Sequence, residues 1–311
     1  MDDTSPASGP QLFGYPLGGL FHLMVLYFVW GSTYLAIRVA VRPGEGFPPF
    51  TLGLTRMALA GLLLLLWAKA RGREILPRRR DLAVMAASGI LLWTGGNGLV
   101  MLAEQRIDSA LAALLVTTTP IWVAVMEAML AKRSLNRSLM AALLLGFGGV
   151  VVLSIPSLQE GASGDFSSVL AVLGASFSWS VGTVLQSRNR VELDSTANSA
   201  YQQLFGGLGF LVIVAILQEP APTPSVEAWW GWLYLLVAGS LLAFTSYVQA
   251  LRQLPTEVVM TYGYVNPVIA VILGALILDE QITVWTLGGA LLVLLGVAGV
   301  FRYRTRGNNN T

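Results

Sequence analysis

Charge is scarce in this chain of 311 residues: 12% of its side chains are charged, about half the share found in ordinary soluble domains. A water-soluble globular fold is therefore excluded. The chain has no Cys and one His, so a disulfide framework is excluded, and we expect no metal site and no cofactor. Continuous hydrophobicity, with 55% hydrophobic residues, also excludes intrinsic disorder and an outer-membrane β-barrel.

Long apolar runs are what the chain has instead. Ten of them are each about as long as a helix that crosses a bilayer. They cover residues 20–41, 49–70, 82–102, 109–130, 138–155, 167–187, 196–217, 228–251, 256–278 and 284–301. The sequence therefore predicts an all-α integral membrane protein with ten transmembrane helices. No signal peptide is expected, because residues 1–19 lack a basic start.

The basic residues predict the orientation. Ten spans put both termini on one side, together with the loops after spans 2, 4, 6 and 8. Of the 19 Lys and Arg residues, 15 lie on that side and three on the other, while Arg56 lies within span 2. Because basic loops stay in the cytoplasm, we predict cytoplasmic termini in a bacterial inner (plasma) membrane.

The two halves of the chain resemble each other. A shift of 147 positions aligns Pro120 with Pro267 and Ala103 with Ala250, and a shift of 149 aligns Trp30 with Trp179. We predict a duplicated five-helix unit, with an N-terminal tail 1–19, repeats 20–155 and 167–302, an extracytoplasmic linker 156–166 and a C-terminal tail 303–311. Since five is odd, the repeats have inverted topology, which is typical of secondary transporters with a midplane site.

The two aligned prolines lie near the middle of spans 4 and 9, about 17 Å from the ends at 1.5 Å per residue. Each removes a backbone donor and frees a carbonyl four residues earlier, at Val116 and Gly263. One such proline would indicate a packing kink. Two in symmetric positions favour hinges at Pro120 and Pro267 beside a cavity.

Several motifs carry a family resemblance. They are Trp30-Gly31-Ser32, Leu54-Thr55-Arg56, Asn266-Pro267, the turn from Leu278 through Asp279, Glu280, Gln281 and Ile282 to Thr283, and the glycines Gly288, Gly289 and Gly296 of the last span. With these motifs the chain resembles the EamA type of the drug/metabolite transporter superfamily from Leu20 to Phe301, and within it the bacterial amino-acid exporters of the YddG type.

This resemblance implies an exporter of amino acids or related metabolites that has no ATP-binding domain. One departure is visible: the first-half turn reads Lys132-Arg133-Ser134-Leu135, where the family commonly has an acidic residue. If that acidic residue couples transport to an ion, Glu280 is the residue that supplies the carboxylate in this chain.

Polar and aromatic residues within spans are the candidate substrate-binding residues, because each is costly in hydrocarbon and should face a cavity. Tyr27, Trp30, Tyr34 and Arg38 share one helix face, and their repeat partners Ser176, Trp179, Thr183 and Ser187 share another. Asn97 either holds a neighbouring helix or meets a ligand. The predicted substrate-binding set is Trp30, Tyr34, Trp93, Asn97, Thr119, Trp179, Thr183, Tyr247, Tyr262 and Asn266.

Two charged residues lie within spans. We expect Glu127 to pair with Lys132 or Arg133, with proton coupling by Glu127 as the alternative. For Arg56 we expect a structural hydrogen-bonding role, since span 2 belongs to the outer part of the fold in the family, with contact to a substrate carboxylate as the alternative. The glycine patterns of spans 5 and 10 permit close helix approach within the chain or, as the alternative, dimerisation.

The sequence thus predicts a transporter that exports amino acids, including aromatic or other apolar ones, or related metabolites by alternating access. Efflux of amphipathic cations or drugs is the alternative, and a non-transporting receptor or scaffold is a further one. An enzyme is not expected, because no cluster of His, Asp, Glu or Ser with a base lies at the midplane. The expected partners are a small molecule and the lipid bilayer, with no nucleic acid, and the chain is expected to be a monomer or weak homodimer.

Overall fold

The computed structural model describes residues 10–12, 14–107, 109–159, 166–277 and 282–308. After a short antiparallel pair of strands, Gln11–Leu12 and Tyr15–Pro16, the described chain is helical. Ten segments are long and apolar enough to span a membrane, which confirms the predicted all-α fold with ten transmembrane helices. Many large apolar side chains face outward, as a lipid-facing surface requires.

We number the helices α1 to α10 in chain order. Their bounds are Leu17–Ala40, Pro49–Ala70, Arg79–Ala103, Ser109–Val116 with Thr119–Leu130, Arg137–Gln159, Phe166–Arg188, Ser195–Leu217, Val226–Gln253, Thr256–Val259 with Tyr262–Ile277, and Val284–Asn308. The near face is the end of the bundle where α1 begins, and the far face is the end where it finishes.

Helix packing repeats with a step of five helices. The α5–α10 and α2–α7 pairs each join equivalent helices of the two halves. The other main pairs are exchanged between halves: α1–α9 corresponds to α4–α6, α1–α8 to α3–α6, and α2–α8 to α3–α7. This pattern is the one that two inverted five-helix repeats related by a pseudo-twofold axis produce.

Glycines bring α5 and α10 into backbone contact. A Cβ placed on Gly289 would lie 2.7 Å from the carbonyl oxygen of Gly149, and one placed on Gly296 would lie 2.5 Å from the amide nitrogen of Gly146. These distances are too short for any side chain. The glycine patterns of spans 5 and 10 therefore pack the chain against itself.

Two helices contain a π-helical segment that the sequence analysis did not predict. These segments run from Ile90 to Asn97 in α3 and from Leu235 to Ala243 in α8, at equivalent positions of the two repeats. Wide turns of this kind displace backbone carbonyls and are frequent at functional sites. Each π-helical segment accepts a hydrogen bond from a side chain on the first helix of the other repeat. Trp30 of α1 donates to the carbonyl of Gly239 in α8, and Ser178 of α6 donates to that of Leu91 in α3.

The proline-containing helices are broken at slightly different places. In α4 the break lies at Thr117 and Thr118, and Pro120 is the second residue of the second piece, which begins at Thr119. In α9 the break lies at Met260 and Thr261, and Pro267 lies inside the second piece. The two proline-containing helices are therefore less symmetric than the alignment of Pro120 with Pro267 predicted, and the hinge role of these prolines stays a prediction. The Val116 carbonyl, predicted to be free, accepts a hydrogen bond from the Thr119 hydroxyl at 2.6 Å.

Ionic contacts join the halves at the near face. Arg73 lies 3.6 Å from Asp194, Arg78 pairs with Glu192, and the Asp81 carboxylate accepts the backbone N–H of Glu192 at 3.1 Å. Each contact connects the segment around the start of α3 with the loop between α6 and α7. These contacts thus hold the first half to the second in addition to the α5–α10 and α2–α7 helix contacts.

We predict that Gly289→Ala destabilises the protein by about 1–3 kcal/mol, because its methyl group would overlap the backbone of α5. The measurement is the thermal unfolding midpoint in detergent. The matched control is Gly288→Ala on the neighbouring residue, where a Cβ meets nothing within 4 Å. Equal unfolding midpoints for the two variants would contradict the close backbone contact between α5 and α10 at Gly289.

Candidate functional site

A central cavity lies among α1, α2, α3, α4, α6, α8 and α9, with an empty volume of about 710 Å³ that includes its opening to solvent. Eight of the ten predicted substrate-binding residues line it, namely Trp30, Tyr34, Trp93, Asn97, Thr119, Trp179, Tyr262 and Asn266. The remaining lining residues are Thr33, Ile37, Arg56, Gly96, Val100, Val116, Ala175, Ser176 and Leu235. The lining extends from the Trp30 level of α1 to Ile37, and hence toward the far face.

An aromatic cluster forms the floor of this cavity. The Trp30 ring lies 4.9 Å from that of Tyr262, 5.3 Å from that of Tyr247 and 5.6 Å from that of Trp179, measured between centroids. Trp93 adds a further edge contact to Trp179 at 6.1 Å. Such tilted and edge-to-face pairs stabilise the packing of the side chains in this layer.

The two predicted site residues that do not line the cavity bond to each other beneath this floor. The hydroxyls of Thr183 and Tyr247 are 2.6 Å apart, and both residues are fully buried. A second pair, Tyr27 and Thr261, is also 2.6 Å apart and joins α1 to the break in α9. These bonds connect α6 to α8 and α1 to α9, and so close the near side of the cavity.

Arg56 lies in the cavity wall, a position that its alternative role in contacting a substrate carboxylate requires. Its Nε donates to the Ser240 hydroxyl at 2.7 Å, and its guanidinium lies 5.2 Å from the centre of the Trp93 ring. The expected hydrogen-bonding role is thus confirmed. However, Nη1 is buried without a hydrogen-bond partner among the described residues, and Arg56 is the one charged residue of the described cavity lining.

Two more lining atoms share this lack of a described hydrogen-bond partner. They are the indole nitrogen of Trp93 and the amide oxygen of Asn97. Asn266, by contrast, is satisfied when its amide nitrogen is oriented to donate to the carbonyls of Tyr27, at 3.2 Å, and Tyr262, at 3.0 Å. Buried polar atoms are normally paired, so the described cavity lining presents two unused donors and one unused acceptor.

Of the two candidate coupling glutamates, Glu127 does not line this cavity. Glu127 accepts hydrogen bonds from Arg188 of α6 at 2.7 and 3.0 Å, so the expected pairing with Lys132 or Arg133 is wrong. The partner is 61 residues away in sequence because α4 packs on α6. Glu280 lies outside the described residues.

We predict that an impermeant maleimide modifies Asn97→Cys faster than Thr183→Cys in detergent-solubilised protein, because Asn97 lines the cavity and Thr183 lies below its floor. The chain has no Cys of its own, so the unmodified protein serves as the blank. Equal rates at the two positions would show that the aromatic floor does not close the cavity.

Comparisons with known proteins agree with this architecture. The profile of the EamA-like transporter family matches residues 17–155 and 166–302. The inner membrane transporter YedA of Escherichia coli, whose substrate its name does not state, is 32% identical over 254 residues, covering 81% of this chain and 80% of YedA. The transporter YoaV of Bacillus subtilis is 25% identical over 271 residues, covering 86% and 91% of the two chains.

A solved crystal structure has the same fold. It aligns with a TM-score of 0.74 over 93% of this chain and 98% of its own, at 19% sequence identity. At this identity the likeness concerns the arrangement of helices and not the cargo.

Proposed function

Because the chain belongs to the EamA-like transporter family, and is therefore a multi-pass membrane transporter, we propose that it exports amino acids with aromatic or other apolar side chains, or closely related metabolites. Export proceeds by alternating access across a bacterial inner membrane, with both termini in the cytoplasm. The excess of Lys and Arg at the near face supports this orientation.

The observation that carries the substrate class is the set of unused polar atoms in the cavity wall. A carboxylate supplies the acceptors that Arg56 Nη1 and the indole nitrogen of Trp93 lack. An ammonium group supplies donors for the amide oxygen of Asn97 and a cation for the tryptophan faces. The aromatic floor then accommodates an apolar side chain.

Charge distinguishes this proposal from the efflux of amphipathic cations. Arg56 has no described anionic partner, and an isolated buried cation is costly. A substrate carboxylate relieves that cost, whereas a cationic drug increases it. The described cavity lining contains no carboxylate that could receive such a drug.

Transport in proteoliposomes tests the proposal. We expect counterflow of radiolabelled L-phenylalanine or another apolar amino acid, and no counterflow of phenylethylamine, which lacks only the carboxylate. Absence of flux across a panel of apolar amino acids would contradict the substrate class. Equal flux of the amine would contradict the role of the carboxylate.

We predict that Arg56→Gln weakens amino-acid binding about tenfold to a hundredfold, because a charge-assisted hydrogen bond contributes about 1.5–3 kcal/mol. The measurement is the half-saturating concentration in counterflow. Arg302→Gln, at an exposed position of α10, is the matched control and leaves it unchanged. An Arg56→Gln variant with wild-type affinity would assign Arg56 a purely structural role.

A further inference from the structure

Glu104 is a buried carboxyl group that the transport site described above does not use. It follows the last residue of α3, and its backbone N–H donates to the carbonyl of Val100 at 2.9 Å. The residue is 9% exposed, and neither carboxyl oxygen has a hydrogen-bond partner among the described residues. Burial of a carboxylate without hydrogen-bond donors is strongly disfavoured, so burial favours the protonated form of this group.

Glu104 lies between the central cavity and the far face. Val100, one helical turn earlier, lines the cavity together with Tyr34 and Ile37 of α1. Glu104 itself lines a second depression beyond the cavity, shared with Arg38, the residue after Ile37. The other residues of that depression are Val41, Arg42, Pro43, Gln105, Arg106 and Ile107.

The ionisable groups around Glu104 are few among the residues that the structure describes. On α1 they are Tyr34 and Arg38, both of which interact with it electrostatically. Arg42, which pairs with Glu45, and Arg106 lie in the same depression. The first charged residue of α2 is Arg56, in the cavity, and α6 has no ionisable side chain before Arg188 at the near face.

Burial prevails over the attraction of Arg38. Removal from water raises the pKa of the Glu104 carboxyl to about 8, while Arg38 acts in the opposite direction. No ion pair within 4.0 Å joins these two residues in the part of the chain that the structure describes. In this conformation the carboxyl is therefore mainly protonated at neutral pH, and Arg38 is exposed.

The inverted repeat indicates what happens at this end when the cavity changes sides. The shifts of 149 and 147 align Tyr34 with Thr183 and Val100 with Tyr247. Thr183 and Tyr247 are the residues whose hydroxyls now bond and hold α6 to α8 at the near side. By pseudo-symmetry, α1 and α3 approach each other around Tyr34 and Val100 when the far side closes.

We propose that Glu104 and Arg38 form a proton-controlled latch at the far end of α1 and α3. The protonated carboxyl leaves the two helices apart and the cavity open. When its O–H bond breaks and the proton passes to water in the depression, the carboxylate pairs with Arg38 and draws α1 onto α3. Proton binding at Glu104 and access to the cavity are then one equilibrium. The latch itself does not depend on the cargo; only its use in export rests on the proposed function.

The first test measures the proton directly. Infrared spectra of the detergent-solubilised protein should show a protonated-carboxyl C=O band that disappears with a midpoint near pH 8. Glu104→Gln should remove this band, and Glu127→Gln, which alters an exposed ion pair, should retain it. Arg38→Gln should raise the midpoint, because it removes the cation that favours the carboxylate. If a titrating band persists in Glu104→Gln, or if the wild type has no such band, the assignment to Glu104 is wrong. If the midpoint is unchanged in Arg38→Gln, Arg38 does not take part in the latch.

The second test measures access to the cavity. Asn97→Cys is labelled with an impermeant maleimide across this pH range, and its rate is divided by that of Ser138→Cys, an exposed reference, to cancel thiol ionisation. The ratio should fall several-fold as pH rises through the midpoint and stay constant in the Glu104→Gln background. The same fall in both backgrounds would refute the latch. Neither test uses a substrate, so failure of amino-acid transport and failure of the latch are distinguishable.

Discussion

Within a bilayer no water is available to satisfy a polar group, and the structure depends on this constraint. Each irregularity of its helices is accompanied by a compensating donor. The breaks in α4 and α9 are closed by threonine hydroxyls, since Thr119 bonds to Val116 and Thr261 bonds to Val258. The π-helical segments receive Trp30 and Ser178 from neighbouring helices. Among the described buried polar atoms that lack a hydrogen-bond partner, those of Arg56, Trp93 and Asn97 lie together around the central cavity.

Much of this arrangement could be predicted from the sequence. The length and hydropathy of the apolar runs predicted the ten helices. The spacing of polar and aromatic residues by three and four predicted most of the cavity wall, because such residues in a membrane helix face away from the lipid. Thr183 and Tyr247 were also predicted to face the interior. They hydrogen-bond to each other and do not line the cavity. The spacing of residues along a helix does not predict which inward-facing side chains hydrogen-bond to each other.

Other features could not be read from the sequence for definite physical reasons. A π-helical turn requires no particular residue and leaves hydropathy unchanged, so α3 and α8 resembled regular spans. The Glu127 partner depends on the packing of α4 on α6, and proximity in sequence suggested Lys132 or Arg133 instead. Arg56 reaches the cavity because Ser240 and Trp93 hold its guanidinium. Glu104 lies just beyond an apolar run, where a carboxylate ordinarily belongs to a solvated loop, and its burial comes from tertiary structure alone.

The α5–α10 and α2–α7 seams have a consequence for the origin of the protein. Each seam joins a helix to its own counterpart across the pseudo-twofold axis, with glycine meeting glycine where Gly149 faces Gly289. Such a contact is self-complementary, like the interface of a symmetric homodimer. A single five-helix polypeptide inserted into the membrane in both orientations would assemble through these same surfaces. The seams thus have the geometry expected of an antiparallel dimer of one five-helix unit.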